Sequence, residues 1–446
     1  MLKTLRNAWA IPELRSKMLF TLLIIVLYRF GASLPIPFID YDQIEQVANA
    51  YADGSIFSYL NILSGYAFEK ATLLALSVSP YITASIVMQL LGVAIPAIER
   101  IAKNGEEGRK KIERITRYVT VALAIVTAIG YYNILRTQVG DSLFYYTGGF
   151  GEVFSAIVII ACYTAGASIV MWLAQKIDEQ GIGNGISIIL FANIVGGLPS
   201  TFSQLFETLK AAYTRTTDPE SLATVIIYGV LTVLIIVASI IFVVYMSDAE
   251  RRIPVQYAKR AVGRKMYGGQ NSNLPIKLNM SGVMPIIFAS TIVSLPTTII
   301  YLCGGATGDG FWAKVYNALS SSSLIYAVVL FVLIIAFAYF YISISFNPVE
   351  VSNNLMQNGG SIPGIRPGKP TAQYITKVLN KVVLMGAFFL SVVACVPVIL
   401  NVISGGLLNV VSFSGSTLLI VVGVALETVR EMEAQMTMRH YKGFLK

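Results

Sequence analysis

The chain has 446 residues, of which 55% are apolar and only 13% charged, and its mean hydropathy is +0.68. A soluble domain carries roughly twice that share of charge, so an ordinary water-soluble globule is excluded. The net charge of +9 would suggest nucleic acid in a soluble protein, but here it collects in the loops between apolar runs.

Crossing a bilayer takes ~20 apolar residues, and charge-free runs of that length recur. Lys70 to Glu99 brackets 28 uncharged residues, Lys277 to Asp309 brackets 31, Lys314 to Glu350 brackets 35, and Lys381 to Glu427 brackets 45. In chain order the expected spans are 18–36, 72–96, 117–135, 153–175, 184–201, 222–246, 278–302, 323–346, 378–400 and 414–430. The first lacks a small-residue cleavage site leading into a soluble chain, so it reads as a permanent span rather than a signal peptide. Lys and Arg set orientation: with the N-terminus inside, 27 of the 33 fall on the cytoplasmic side and 5 on the other, with Arg29 inside span one. Both termini are therefore expected in the cytoplasm.

The expected fold class is all-α integral membrane, with ten transmembrane helices in two inverted five-helix halves, 1–215 and 216–446. An odd number of spans per half inverts the second against the first, and such repeats place the functional site at their interface. Residues 37–71 form a long external excursion. Within it Ile56, Phe57, Leu60, Ile62 and Leu63 make an apolar segment too short to span. A re-entrant helix buried against protein suits it, as does an amphipathic helix on the outer surface. Pro80 falls near the middle of span two, where its missing N–H predicts a kink.

The chemistry that is missing narrows the function. Away from their ends the spans hold no Asp, Glu, His or Lys, apart from Glu427 near the cytoplasmic end of the last. Ion-coupled transport needs such groups at mid-membrane, so a passive channel is favoured over a pump. Arg29 is expected to snorkel or to pair structurally. His440, the single histidine, leaves no material for a His-based metal site or proton relay. Cys162, Cys303 and Cys395 lack CxxC spacing and read as small buried hydrophobes. Gly368-Lys369 is followed by Pro370 rather than Ser or Thr, so no phosphate-binding loop forms there. The Gly181–Gly185 stretch reads as a tight loop between spans four and five.

Several stretches resemble a known family, in its order and over most of the chain. They are Gly181-Ile-Gly-Asn-Gly-Ile-Ser-Ile-Ile189, Ser79-Pro-Tyr-Ile-Thr-Ala-Ser-Ile86, Asn279-Met-Ser-Gly-Val-Met-Pro285, Pro363-Gly-Ile-Arg-Pro-Gly368, Tyr257-Ala-Lys-Arg260 and Tyr441-Lys-Gly-Phe444. On these the chain resembles the SecY/Sec61-alpha family of protein-conducting channels. The resemblance implies an hourglass pore that passes unfolded secretory polypeptides across the bacterial plasma membrane and inserts membrane proteins sideways into it. It implies no enzymatic activity and no cofactor. Carried over by motif, the closing ring is Val78, Ile82, Ile186, Leu190, Ile287 and Ile420. An apolar constriction excludes ions by dewetting. The segment at about 55–66 becomes the plug. A lateral gate lies between spans two and three and spans seven and eight, with Thr83, Asn279 and Leu295 as its candidate residues. The basic loops 247–277 and 347–377, through Arg251, Arg252, Lys259, Arg260, Arg264, Lys265 and Arg366, become docking surfaces for the ribosome and the SecA motor ATPase. Small SecE-like and SecG-like membrane subunits, signal sequences and the bilayer complete the implied partners. The residues alone also admit a ten-helix secondary transporter of a small solute, or an integral-membrane enzyme. The missing midplane acids count against the first, and the missing His and catalytic dyad against the second.

Overall fold

The computed structural model describes residues 2–40, 64–65, 67, 70–102, 104–139, 143–146, 148–215, 219–257, 260–262, 265–267, 271–280, 282–302, 310–320, 323–403 and 414–443. Helices dominate. In chain order they are α1 (Leu2–Ala10), α2 (Pro12–Gly31), α3 (Ser79–Ala94), α4 (Pro96–Ala102), α5 (Gly105–Val139), α6 (Gly149–Gln180), α7 (Gly185–Arg215) and α8 (Pro219–Asp248). After the strands described below come α9 (Met284–Leu302), α10 (Phe311–Ala318), α11 (Leu324–Ser345), α12 (Pro348–Gln357), α13 (Lys369–Ile403) and α14 (Ser414–Gly443).

Local chemistry sets where these helices start. Pro12, Pro80 and Pro348 sit in first turns, where the fixed φ is pre-organised and the missing N–H would have had no partner. The Ser323 hydroxyl accepts from the Ile325 N–H at 3.2 Å, and the Asn347 side chain accepts from the N–H groups of Val349 and Glu350, each filling a helix start. The mid-span kink expected at Pro80 is corrected by this. The helix begins only at Ser79, so Pro80 breaks no ladder bond. Residues 71–78 are turns instead, with Ala71 at φ 44° and Ser77 at φ 49°, a left-handed conformation uncommon without glycine.

Among the described residues, four helical stretches are both long and apolar enough to cross a membrane: Gly105–Asn133, Gly149–Gln180, Leu324–Gln357 and Lys369–Ile399. Shorter apolar stretches are Ser79–Ala94, Gly185–Pro199, Leu234–Asp248 and Met284–Ile300. Large apolar side chains stand exposed in rows, including Leu22, Val26 and Phe30 on α2, Phe150 and Ile157 on α6, and Val328 and Val332 on α11. Apolar surface of that extent is not stable in water, which makes this a multi-pass membrane protein.

The core beneath is shared. One buried apolar cluster takes residues from α2, α3, α6, α7, α8, α9, α11, α13 and α14. A second joins α5 and α6 to residues 36–39 and 143–144, with Tyr131 and Tyr163 edge to face at 4.9 Å. The turn between α6 and α7 is as tight as expected: a Cβ on Gly185 would lie 2.0 Å from the Ala174 carbonyl oxygen. The start of the chain meets α14: Ala8 of α1 and Met432 of α14 share a buried cluster with Leu14 of α2 and Ile182 of the α6–α7 turn, and Thr4 donates to Glu433 at 2.9 Å.

The strands lie in the two basic loops. They are β1 (Glu250–Tyr257), β2 (Arg260–Val262), β3 (Lys265–Tyr267), β4 (Asn271–Lys277) and β5 (Gly360–Ser361). β2 and β3 form a small antiparallel pair. β1 pairs antiparallel with β4, Glu250 opposite Lys277 through Gln256 opposite Asn271. On its other edge β1 takes β5, Gln256 opposite Ser361 and Tyr257 opposite Gly360.

Candidate functional site: an apolar ring, a seam beside it and a basic platform

Five of the six expected ring residues are buried: Val78 and Ile82 at the start of α3, Leu190 on α7, Ile287 on α9 and Ile420 on α14. All five belong to the same apolar cluster, and Ile186, partly buried, packs against it. Spacing i,i+4 puts Ile186 and Leu190 on one face of α7 and does the same for Val78 and Ile82. Four segments distant in sequence thus contribute aliphatic side chains to one buried cluster. Toward the end of α14, Glu427, Arg430 and Glu431 line an open cavity of about 600 Å³ with Lys277, Asn279 and Met284.

Beside the ring lies a cavity of about 220 Å³ between α3, α5 and α9. Thr83 and Leu295 both line it, facing the same space from α3 and α9, together with Ile82 and Leu190 of the ring. Asn279 stands apart, on the segment between β4 and α9, against the larger cavity. The hydroxyl lining of the seam is absent from the sequence reading: Thr127 of α5 and Thr291, Ser294 and Thr298 of α9. Their signal was present, because 291, 294 and 298 recur at i, i+3 and i+7 along a single helical face. Each donates to a carbonyl of its own helix, as does Thr83 to Ser79 at 3.1 Å.

Arg251, Arg252 and Arg366, three of the expected docking residues, lie on two loops that one sheet joins. Arg251 and Arg252 lie exposed on β1, which turns Ile253 and Val255 inward. Arg260 and Lys265 belong to β2 and β3. Arg366 is exposed in a turn whose Gly364 and Gly368 have φ of 81° and 97°, values that favour glycine. The Thr371 hydroxyl donates to the Arg366 carbonyl at 2.8 Å, and the Ser352 hydroxyl to that of Gly368 at 2.8 Å. Beneath, Ile253, Val255 and Ile276 of one loop pack with Ile362, Ile375 and Leu379 of the other. Two loops that read separately in sequence share one sheet and one core. Lys259 and Arg264 lie outside the described residues, as do the expected plug residues Ile56, Phe57, Leu60, Ile62 and Leu63.

Known proteins resemble this chain in sequence and fold. The SecY family model matches residues 72–429. The chain is 42% identical to the protein translocase subunit SecY of Streptomyces galbus, with the whole of both chains covered. It is 41% identical to that of Mycobacterium bovis, with 97% of each covered. Among solved structures, a protein-conducting channel matches with TM-score 0.61 at 16% identity, covering 94% of this chain and 92% of that one. The Ssh1 complex bound to the yeast 80S ribosome matches with TM-score 0.62 at 17% identity, covering 92% and 89%. These structural likenesses establish the fold, and the relatives, being translocase subunits, lend no support to a small-solute transporter. The chain belongs to the SecY family, the channel subunit of protein translocases.

Proposed function

We propose that the polypeptide passes through the apolar waist formed by Val78, Ile82, Ile186, Leu190, Ile287 and Ile420. The observation that carries this is the convergence of these six residues, from four separate segments, on one apolar cluster. Flexible aliphatic side chains can close around a threading chain of any sequence, and in its absence a dewetted constriction resists ions. Around the waist, the ten expected spans form two inverted halves, 1–215 and 216–446, in a plasma membrane, with both termini cytoplasmic. The meeting of α1 with α14 supports the co-location of the termini.

Lateral exit runs through the seam between α3 and α5 on one side and α9 and α11 on the other, with Thr83 and Leu295 across it. Asn279 belongs to the cytoplasmic mouth. Residues 55–66 act as plug; a similar structure is described as having a plug domain that stabilises the closed state and maintains a membrane seal. The two basic loops, through Arg251, Arg252, Lys259, Arg260, Arg264, Lys265 and Arg366, dock the ribosome, whose RNA is polyanionic. Similar channels are described in complex with canine and yeast ribosomes. The same loops receive the SecA motor, and SecE-like and SecG-like subunits complete the channel.

A secretory chain stalled during translocation tests the pore assignment. It should crosslink to a photoprobe at Ile82 or Ile287 and not to one at Ile157, which is exposed on the outer face of α6. Equal crosslinking at both places would refute the waist as the conduit.

A further inference from the structure

Arg29 of α2 points inward and ties α2 to Gly65 and to α7, which carries Ile186 and Leu190 of the ring. Its Nη2 donates to the carbonyls of Ala192 and Asn193 on α7, at 2.7 and 3.1 Å, and its Nη1 to the Gly65 carbonyl at 3.3 Å. A guanidinium is suited to this, since its planar fork presents several donors in fixed directions. The surroundings are shaped to it. A Cβ on Gly196 would lie 1.4 Å from Nη2, and one on Gly65, at φ 68°, would lie 2.8 Å from Nη1. While Arg29 is seated, position 196 therefore admits only glycine.

The preceding residue extends the joint. Tyr28 is fully buried, and its hydroxyl lies 3.2 Å from Oγ of Ser77; the Asn193 amide donates to the Tyr28 hydroxyl at 2.9 Å and to Ser77 at 3.0 Å. Ser77 holds a left-handed backbone at φ 49° immediately before Val78. Asn193 lies three residues, one helical turn, beyond Leu190. The polar joint thus fixes the two segments that carry four of the six ring side chains, and it does so next to the apolar cluster in which they sit.

The geometry points to Arg29 as a positioning residue of the ring. Seated on the α7 carbonyls, it sets the spacing between the start of α3 and α7, so that Val78 and Leu190 meet in the closed channel. The inference rests on the reading of the ring as the seal.

The test measures resting ion flux of the purified complete translocase in planar bilayers, with no polypeptide substrate present. Arg29→Met should raise the flux at least tenfold. Gly196→Ala should do the same although the arginine is retained, because the new methyl unseats it. Arg29→Lys, a point charge on a flexible stem, should fall between. In an Arg29→Met background with the native cysteines replaced, Val78→Cys and Leu190→Cys bridged by a short bifunctional thiol reagent should restore the seal. A purely structural defect would not be repaired by that bridge. Ile82→Asn, with Arg29 intact, separates the two ideas. If it fails to leak, the ring reading falls. If it leaks while Arg29→Met and Gly196→Ala both stay tight, the positioning role alone is overturned. Failure of all the Arg29 and Gly196 variants to accumulate would make the joint a folding element and overturn it as well.

Discussion

Replacing Ile82 with Asn tests the seal at its most direct point. Ile82 is 5% exposed in the apolar cluster, and burying such a side chain is worth about 1.5–3 kcal/mol relative to leaving it hydrated. The amide that replaces it has no polar partner in an aliphatic cluster, which adds about 1–3 kcal/mol on the scale of protein substitutions. Together these favour a hydrated, open ring over the closed one by about 2.5–6 kcal/mol. At 1.4 kcal/mol per factor of ten, the open fraction should rise by about two to four orders of magnitude. Ile82→Leu conserves volume and polarity and should leave the seal near that of the parent chain. The assay is the resting conductance of the reconstituted translocase, with the amount of assembled complex measured in parallel. A resting flux for Ile82→Asn within twofold of the parent, at normal assembly, would refute the argument that this cluster is the ion seal.

The basic loops make charge-specific predictions. Arg252→Gln and Arg366→Gln should each weaken ribosome binding and reduce the slope of log affinity against log salt by roughly 0.7–0.9, the signature of one lost phosphate contact. An unchanged slope would remove that residue from the contact. Ser361→Pro deletes an N–H from the edge where β5 joins β1 and should uncouple the two loops, read as faster protease cleavage of residues 258–270 with the ring seal unchanged. Gly185→Ala drives a methyl into the Ala174 carbonyl; crowding of this kind costs about 1–3 kcal/mol, which should appear as a lower unfolding midpoint in detergent. Asp248→Asn removes the partner that Arg430 holds at 2.6 Å, but Asp248 is largely exposed. Exposed pairs are worth about 0–1 kcal/mol, so its midpoint should barely move. Arg430→Ala also gives up the bond to the Ser247 carbonyl and should cost more.

What could be read in the sequence was what hydropathy and charge record locally. Charge-free runs located the helices, and the helix beginning at Gly185 and the tight turn before it were legible from Gly181–Gly185. Helix α3 was misjudged because hydropathy does not distinguish turns from helix: residues 72–78 are as apolar as the helix they precede. The shared sheet escaped notice because β5 is two residues long and pairs with a strand about a hundred residues earlier. No local pattern encodes that. Arg29 was visible as an odd charge in span one, yet its partners are main-chain carbonyls on α7, which carry no sequence signature beyond the Gly196 that makes room for it.

The hydroxyls along the seam explain how one bundle can have both a firm wall and a separable one. Between α11 and α13 polar contacts cross from helix to helix: Tyr339 donates to the Asn380 carbonyl at 3.1 Å and the buried Cys395 thiol to the Ala327 carbonyl, while Ser391 donates to Ala387 of its own helix at 2.7 Å. Parting those helices would strip the buried Cys395 thiol of its partner, which costs free energy where no water can replace it. Along the cavity between α3, α5 and α9, the donors of Thr83, Thr127, Thr291, Ser294 and Thr298 are instead satisfied within their own helices. Separation there leaves each of those hydroxyls bonded and exposes mainly methyl and aliphatic surface, which lipid or an apolar segment of a passing chain can cover. The Ser and Thr hydroxyls of that seam therefore suit the lateral exit proposed above, since it could open without orphaning those hydrogen bonds.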